Sequence, residues 1–121
     1  MAITKTLTTV YTTSLTAGAG NVNSTEVDLS SVDSAVVDIK LTNGGTGPTV
    51  PAQAQIQLSG DAGTTWFNFG GPLIGSVTAS AVAQWAGIQI PQAAKRVRIV
   101  LGSNTAQAVT PRVDVTTYLK T

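Results

Sequence analysis

Neither histidine nor cysteine occurs among the 121 residues. Without imidazole the commonest general base is missing, and without thiol there is no thiolate nucleophile, no disulfide and no soft metal ligand. Catalytic triads of the usual kinds cannot be assembled. Charge is scarce too: Asp, Glu, Lys and Arg make up 11% of the chain, with a formal net charge of +1, against about 25% in an average globular protein. The clustered basic footprint of a phosphate-backbone binder is therefore absent, and no nucleic-acid partner is expected. One basic cluster, Lys95-Arg96-Val97-Arg98, alternates as a strand does. Arg96 and Arg98 would share a solvated face, Val97, Ile99 and Leu101 the other, with no aromatic residue nearby to stack on bases. No run approaches the ~18 apolar residues of a membrane span, so no membrane partner is expected. Residues Met1 to Leu7 lack the apolar stretch of a signal peptide, which predicts synthesis in the cytoplasm.

What the chain has is 42% hydrophobic residues and abundant Thr, enough to build a single core with β-branched strands. The most specific stretch is Ser59-Gly60-Asp61-Ala62-Gly63-Thr64-Thr65-Trp66. Gly60 and Gly63 permit positive φ, and the Asp61 carboxylate can accept hydrogen bonds from backbone N–H groups of a turn. Gln53, Gln55, Gln57 and Ser59 alternate with Ala52, Ala54, Ile56 and Leu58 before it, and Thr65-Trp66-Phe67-Asn68-Phe69 follows, so a β-hairpin is predicted with Trp66 capping the core. The pattern Ser-x-Asp-x-Gly-x-Thr-Trp resembles the Asp box, a hairpin motif of sialidases and many unrelated β-proteins. The resemblance implies a structural role for Ser59, Asp61, Gly63, Thr65 and Trp66. One copy in a chain this short is incompatible with a sialidase propeller, which repeats the motif.

Period-two alternation runs through most of the remainder. Ile3, Leu7, Tyr11 and Leu15 oppose Thr4, Thr6, Thr8, Thr12 and Ser14 in a long, half-buried first strand, which Ala17-Gly18-Ala19-Gly20-Asn21 interrupts. Glu26 to Leu29 is a short strand, and Ala35, Val37, Ile39 and Leu41 mark a central one. Asn43 to Pro51 is the strongest loop signal. Strands are predicted over Leu73–Ser80 and Ala81–Ile90, the latter burying Val82, Ala86, Ile88 and Ile90. Pro91–Ala94 is a turn, Lys95–Leu101 a strand, and Gly102-Ser103-Asn104 a reversal. A last strand runs from about Ala106 to Leu119, where Pro111 argues for an edge or a bulge. No window holds a helical period. The fold class predicted is all-β: a single-domain (1–121), two-sheet antiparallel β-sandwich, jelly-roll-like.

The acids are Glu26, Asp28, Asp33, Asp38, Asp61 and Asp114. Glu26 and Asp28 share a strand face and read as solvated, with a hard cation such as calcium the weaker alternative. Gly44-Gly45-Thr46-Gly47 has neither the helix nor the Lys of a phosphate loop. No catalytic residue, cofactor or metal ligand is assigned, and the chain is not expected to be an enzyme.

The low charge, the Thr-Asn-Gly-Gly-Thr-Gly-Pro-Thr stretch at 42–49, the Gln-alternating strand and the Ser59–Trp66 hairpin together resemble small β-sandwich virion proteins of tailed phages, mainly over residues 26–69. That resemblance implies a head decoration (cement) protein made in the host cytoplasm and located in the virion, with the major capsid protein and copies of itself, as a homo-oligomer, for partners. A weakly charged surface suits such packing because neighbours repel little. Candidate contacts are the N-terminal arm, the loop residues Asn43, Gly44, Gly45, Thr46, Gly47 and Pro48, and Phe67, Phe69, Leu73 and Ile74. Consecutive apolar groups in that last stretch cannot all face one core; they form an exposed patch or lie between sheet and loop. The alternative function is a carbohydrate-binding module of a tail or fibre, with Trp85 or Tyr11 as a stacking platform and Gln side chains as hydrogen-bond partners.

Overall fold

The structure, a computed structural model, describes residues 2–15, 20–102 and 107–121. The predicted interruption at Ala17-Gly18-Ala19, the reversal at Ser103-Asn104 and the start of the last strand at Ala106 lie outside them. The described residues form strands and no helix: β1 (Ile3–Tyr11), β2 (Asn21–Asn23), β3 (Val27–Asp28), β4 (Ser34–Asn43), β5 (Gln53–Ser59), β6 (Phe67–Asn68), β7 (Leu73–Ile74), β8 (Val82–Ile90), β9 (Arg96–Gly102) and β10 (Val109–Lys120).

Two antiparallel sheets result. The first has the order β1-β10-β4-β8 and the second β2-β9-β5-β6, with β3 also paired to β9 and β7 to β5. If β2 and β3 count as one interrupted strand, and β6 and β7 as another, the chain crosses between sheets at every connection except the β5–β6 hairpin. This is jelly-roll connectivity. The core is filled from both sides, by Val37, Ile39, Leu41, Val113 and Val115 of the first sheet and Ala54, Ile56, Val97, Ile99 and Leu101 of the second. Each fully buried Ile or Leu contributes about 1.5–3 kcal/mol of transfer free energy.

Four strands differ from expectation, three of them for a local reason that the pairing shows. In β1, Thr4, Thr6 and Thr8 pair opposite Leu119, Thr117 and Val115, whose parity is core-facing, while Ile3 and Leu7 lie on the outer face and are more than half exposed. Val10, on the same parity as Thr4, Thr6 and Thr8, is buried, and the bulge between Thr9 and Tyr11 brings Tyr11 opposite core-facing Val113. In β8 the parity shifts midway. Val37 pairs with Ile88 but Ile39 with Trp85, so Ala86 and Gly87 together oppose Asp38. Gly87 takes φ +72° and donates its N–H to Asp38 Oδ1 at 2.7 Å. Ala83, Trp85, Ile88 and Ile90 therefore face inward, and Val82 and Ala86 are exposed. Pro111 is buried in an interior strand. It fits because β1 ends at Tyr11 opposite Val113, and the chain rejoins β10 only at the Leu15–Val109 bridge. Pro111, whose ring nitrogen faces that gap, is not asked for a hydrogen bond. The predicted strand over Leu73–Ser80 is only the two-residue β7; a loop follows to Ala81.

Candidate interaction surfaces

The Ser59–Trp66 segment joins antiparallel β5 and β6, with Leu58 opposite Phe67 and Gln57 opposite Asn68. Ser59 is fully buried; its Oγ donates to Asp61 Oδ1 at 2.7 Å and accepts from Gly63 N at 2.8 Å. The same carboxylate oxygen accepts the N–H groups of Thr64 at 3.1 Å and Thr65 at 2.8 Å. The Thr65 amide above all, then the Ser59 and Thr65 hydroxyls and the Thr64 amide, favour the ionised form and lower the Asp61 pKa from 3.8 to about 2. A carboxylate so engaged is a poor proton donor near neutral pH. Of the two glycines expected at positive φ, only Gly63 (φ +95°) takes it, and the other left-handed residue is Ala62 (φ +61°) rather than Gly60. Trp66 does not cap the core. Its Nε1 donates to Gly63 O at 3.1 Å and its ring stacks against Arg98, on the outer face of the second sheet.

Arg96 and Arg98 do occupy the outer face of β9, opposite in parity to buried Val97, Ile99 and Leu101. Both are engaged rather than simply solvated. Arg96 pairs with Glu26 at 3.1 Å, and Arg98 Nε donates to Gln57 Oε1 at 2.8 Å. Asp28 accepts the Ser30 amide and hydroxyl, with Arg96 adding a smaller field, and its pKa is lowered. Glu26 thus pairs with Arg96, while Asp28 is held chiefly by Ser30.

The Asn43–Pro48 loop is partly stitched down. Asn43, expected as a contact, is buried, and its Nδ2 donates to Ser76 O at 2.7 Å and Thr78 O at 2.8 Å. Ser80 N donates to Gly44 O at 2.8 Å. Gly47 sits so tightly that a Cβ there would fall 2.0 Å from Val77 O, and Pro48 is buried. Gly44, Gly45 and Thr46 remain exposed. The apolar stretch also divides. Leu73 is buried and Phe69 packs against the core, whereas Phe67 is 68% exposed beside Leu58 and Ile74 is 48% exposed at the opposite end of β5.

Ile74 has company that the residue pattern did not single out. Val50 on the 44–52 loop, Val77 on the 75–81 loop and Val82 at the start of β8 are each about half exposed at the same end of the sandwich. The signal was in the charge spacing: between Lys40 and Lys95 the only charged residue is Asp61, at the other end. The loops at this end supply no charged side chain.

On the outer face of the first sheet a cleft of about 200 Å³ is lined by Asp38, Ile39, Lys40, Gln84, Trp85, Ala86, Arg112 and Asp114. Arg112 Nε lies 3.0 Å from Asp114 Oδ2, and Thr9 Oγ1 donates to Asp114 Oδ1 at 2.7 Å. Of the two supposed stacking platforms Tyr11 is not part of this cleft and Trp85 is, but Trp85 pairs opposite buried Ile39, Tyr11 opposite buried Val113, and both pack against the core. Gln55 donates to the Gly70 carbonyl and Gln57 to Asn68 Oδ1, so these glutamines are committed within the protein.

No protein-family model and no curated protein matches the sequence. Solved structures resemble the fold. A chain in the structure of infectious bursal disease virus, Gx strain, matches at TM-score 0.60 and 10% identity over 97% of this chain, which spans 32% of that one. A chain from Bacillus endospore appendages, described as a family of disulfide-linked pili, matches at TM-score 0.55 and 13% identity, over 98% of this chain and 89% of that one. A family 16 carbohydrate-binding module matches at TM-score 0.50 and 15% identity, over 90% and 76%. At such identities the likeness is one of fold.

Proposed function

We propose that the chain is a non-enzymatic virion structural protein, a decoration protein that binds the assembled head of a phage and stabilises it. The observation that carries this reading is the uncharged end of the sandwich, where Val50 and Val77, on loops held in place by Asn43 and Gly47, stand exposed with Ile74 of β7 and Val82 of β8. Exposed apolar groups gathered at one end mark a partner site. A protein shell suits this one, since a surface without charge requires no matching charge and places no like charges together when many copies sit side by side. The likeness of the fold to a chain in a virus structure supports the same reading. Partners are then the major capsid protein and further copies of this chain, with no nucleic acid and no membrane.

The test is co-sedimentation of the purified protein with mature and with immature phage heads. Association with one maturation state is expected, and it should be lost in Val77→Asp and Ile74→Asp while the fold persists. Failure of the folded protein to pellet with heads in either state overturns the reading.

A glycan-binding role is the second reading, favoured by the polar cleft over Lys40, Gln84 and Arg112 and by the fold shared with a carbohydrate-binding module. Its cleft offers charged and amide groups, while Trp85, which also lines it, is half-buried and packs against the core. Binding on a glycan array that disappears in Arg112→Ala would support it, and a silent array removes it.

A further inference from the structure

The open edge of β1 is the least guarded element of the molecule. Ala2 and Thr121 exchange both backbone hydrogen bonds, and the β1–β10 pairing keeps one register from Ile3–Lys120 to Thr9–Asp114. Antiparallel alternation then assigns the even residues Thr4, Thr6 and Thr8 to β10 and turns the N–H and C=O groups of Ile3, Lys5, Leu7 and Thr9 toward the open side. Edge strands are normally blunted by brevity, bulges, proline or charge. Among the described residues β2, β3, β6 and β7 are two or three residues long, and β8 is broken by the Gly87 bulge. Over Ile3–Thr9 β1 has neither device, its bulge lying beyond Thr9, and its one charge, Lys5, lies with Nζ 5.9 Å from the Tyr118 ring, drawn toward β10.

We propose that β1 pairs antiparallel with β1 of a second copy, joining two first sheets into one continuous sheet across a two-fold axis at Thr6. The register is the one that uses every open group. Pairing Ile3 with Thr9 and Lys5 with Leu7, each twice by symmetry, lets all four outward residues of each copy exchange both hydrogen bonds. Centring the axis on Lys5 would set two ammonium groups face to face, and centring it on Leu7 would leave Ile3 unpaired. In the Thr6 register the other face brings Thr4 against Thr8 and Thr6 against Thr6, cross-strand threonine pairs that favour a sheet. On the outer face the half-exposed Ile3 and Leu7 gain neighbours. One strand edge is a small contact beside the about 1,200 Å² at which standard stable complexes begin, so the dimer is expected to depend on concentration. The inference needs no shell, and its failure would be a separate result from failure of head binding.

Light scattering across a concentration series should show the mass doubling. Leu7→Pro removes an outward N–H that β10 does not use, so it should abolish the dimer and leave the fold intact. Because the chain has no cysteine, the register can be read directly. Thr6→Cys should oxidise to a self-linked dimer, as should a mixture of Thr4→Cys and Thr8→Cys, since residues opposite one another in a non-hydrogen-bonded pair lie about 4.5 Å apart at Cα, within disulfide reach. Thr8→Cys alone should not. A monomer up to about 1 mM, a dimer indifferent to Leu7→Pro, or cross-linking in another register would each overturn the proposal.

Discussion

The Arg98 guanidinium lies 4.2 Å from the centroid of the Trp66 ring. Gln57 Oε1 accepts from its Nε, and the Trp66 indole N–H is held by Gly63 O. One stacked pair thereby ties the hairpin loop to the second and third strands of the second sheet. Removing the cation by Arg98→Ala should cost about 1 kcal/mol at this half-exposed site. Arg98→Lys should recover only part of it, because an ammonium offers neither the planar stack nor the Nε–H that Gln57 uses. Chemical denaturation followed by Trp66 fluorescence in a Trp85→Phe background measures both effects. Equal stability of all three proteins would show that the stack contributes nothing.

Asn43 is the internal tie of the uncharged end. Asn43→Ala leaves the Ser76 and Thr78 carbonyls without their donor, and about 1–3 kcal/mol should be lost. Asn43→Asp should be worse than Ala, since a carboxylate has no proton to give and would face two carbonyl oxygens. Urea midpoints rank the variants, and an Asp variant as stable as wild type contradicts this role.

The hairpin carboxylate predicts an acid limb in stability. Asp61 titrates at about 2 in the folded protein against 3.8 ordinarily, so on acidification the unfolded chain takes up the proton first. Its contribution is complete above pH 3.8 and is lost as pH falls toward about 2. Asp28, lowered by Ser30, acts in the same direction. Melting temperatures recorded from pH 5 downward should therefore fall less in Asp61→Asn than in wild type. Parallel curves would mean the loop's hydrogen bonds do not depend on the charge.

Where side-chain alternation and core burial coincide, the sequence was readable: β4, β5 and β9 lie where their Val, Ile and Gln patterns placed them, because those strands are interior and their faces differ sharply. Alternation misled at the edges. Ile3 and Leu7 carry the apolar signal of β1 yet face outward, because the pairing with β10 gives the core-facing parity to the even residues, and only past the bulge does Tyr11 join Val10 against the core. Pro111 pointed to an edge, but a gap in the neighbouring strand serves a proline as well as an edge does. For the surfaces, residue type overweighted Asn43, Pro48 and Leu73, all buried, and missed Val77 and Val82, whose exposure depends on how two loops meet.

Gly87 offers the complementary test of edge protection. Its φ of +72° is left-handed, and a Cβ there would meet open space, so Gly87→Ala is limited by backbone strain alone, about 1–2 kcal/mol. Deleting Gly87 is a different experiment. It sets Ala86 singly opposite Asp38 and makes β8 regular, while Trp85 and Ile88 keep their partners Ile39 and Val37 and their inward faces. The sandwich should therefore survive deletion but acquire a second straight, unblunted edge of Val82 to Ile90. Static light scattering of the deletion variant should show larger assemblies than a dimer, and adding Leu7→Pro should reduce them without abolishing them. A deletion variant that remains folded and no more associated than wild type would show that the bulge does not guard this edge.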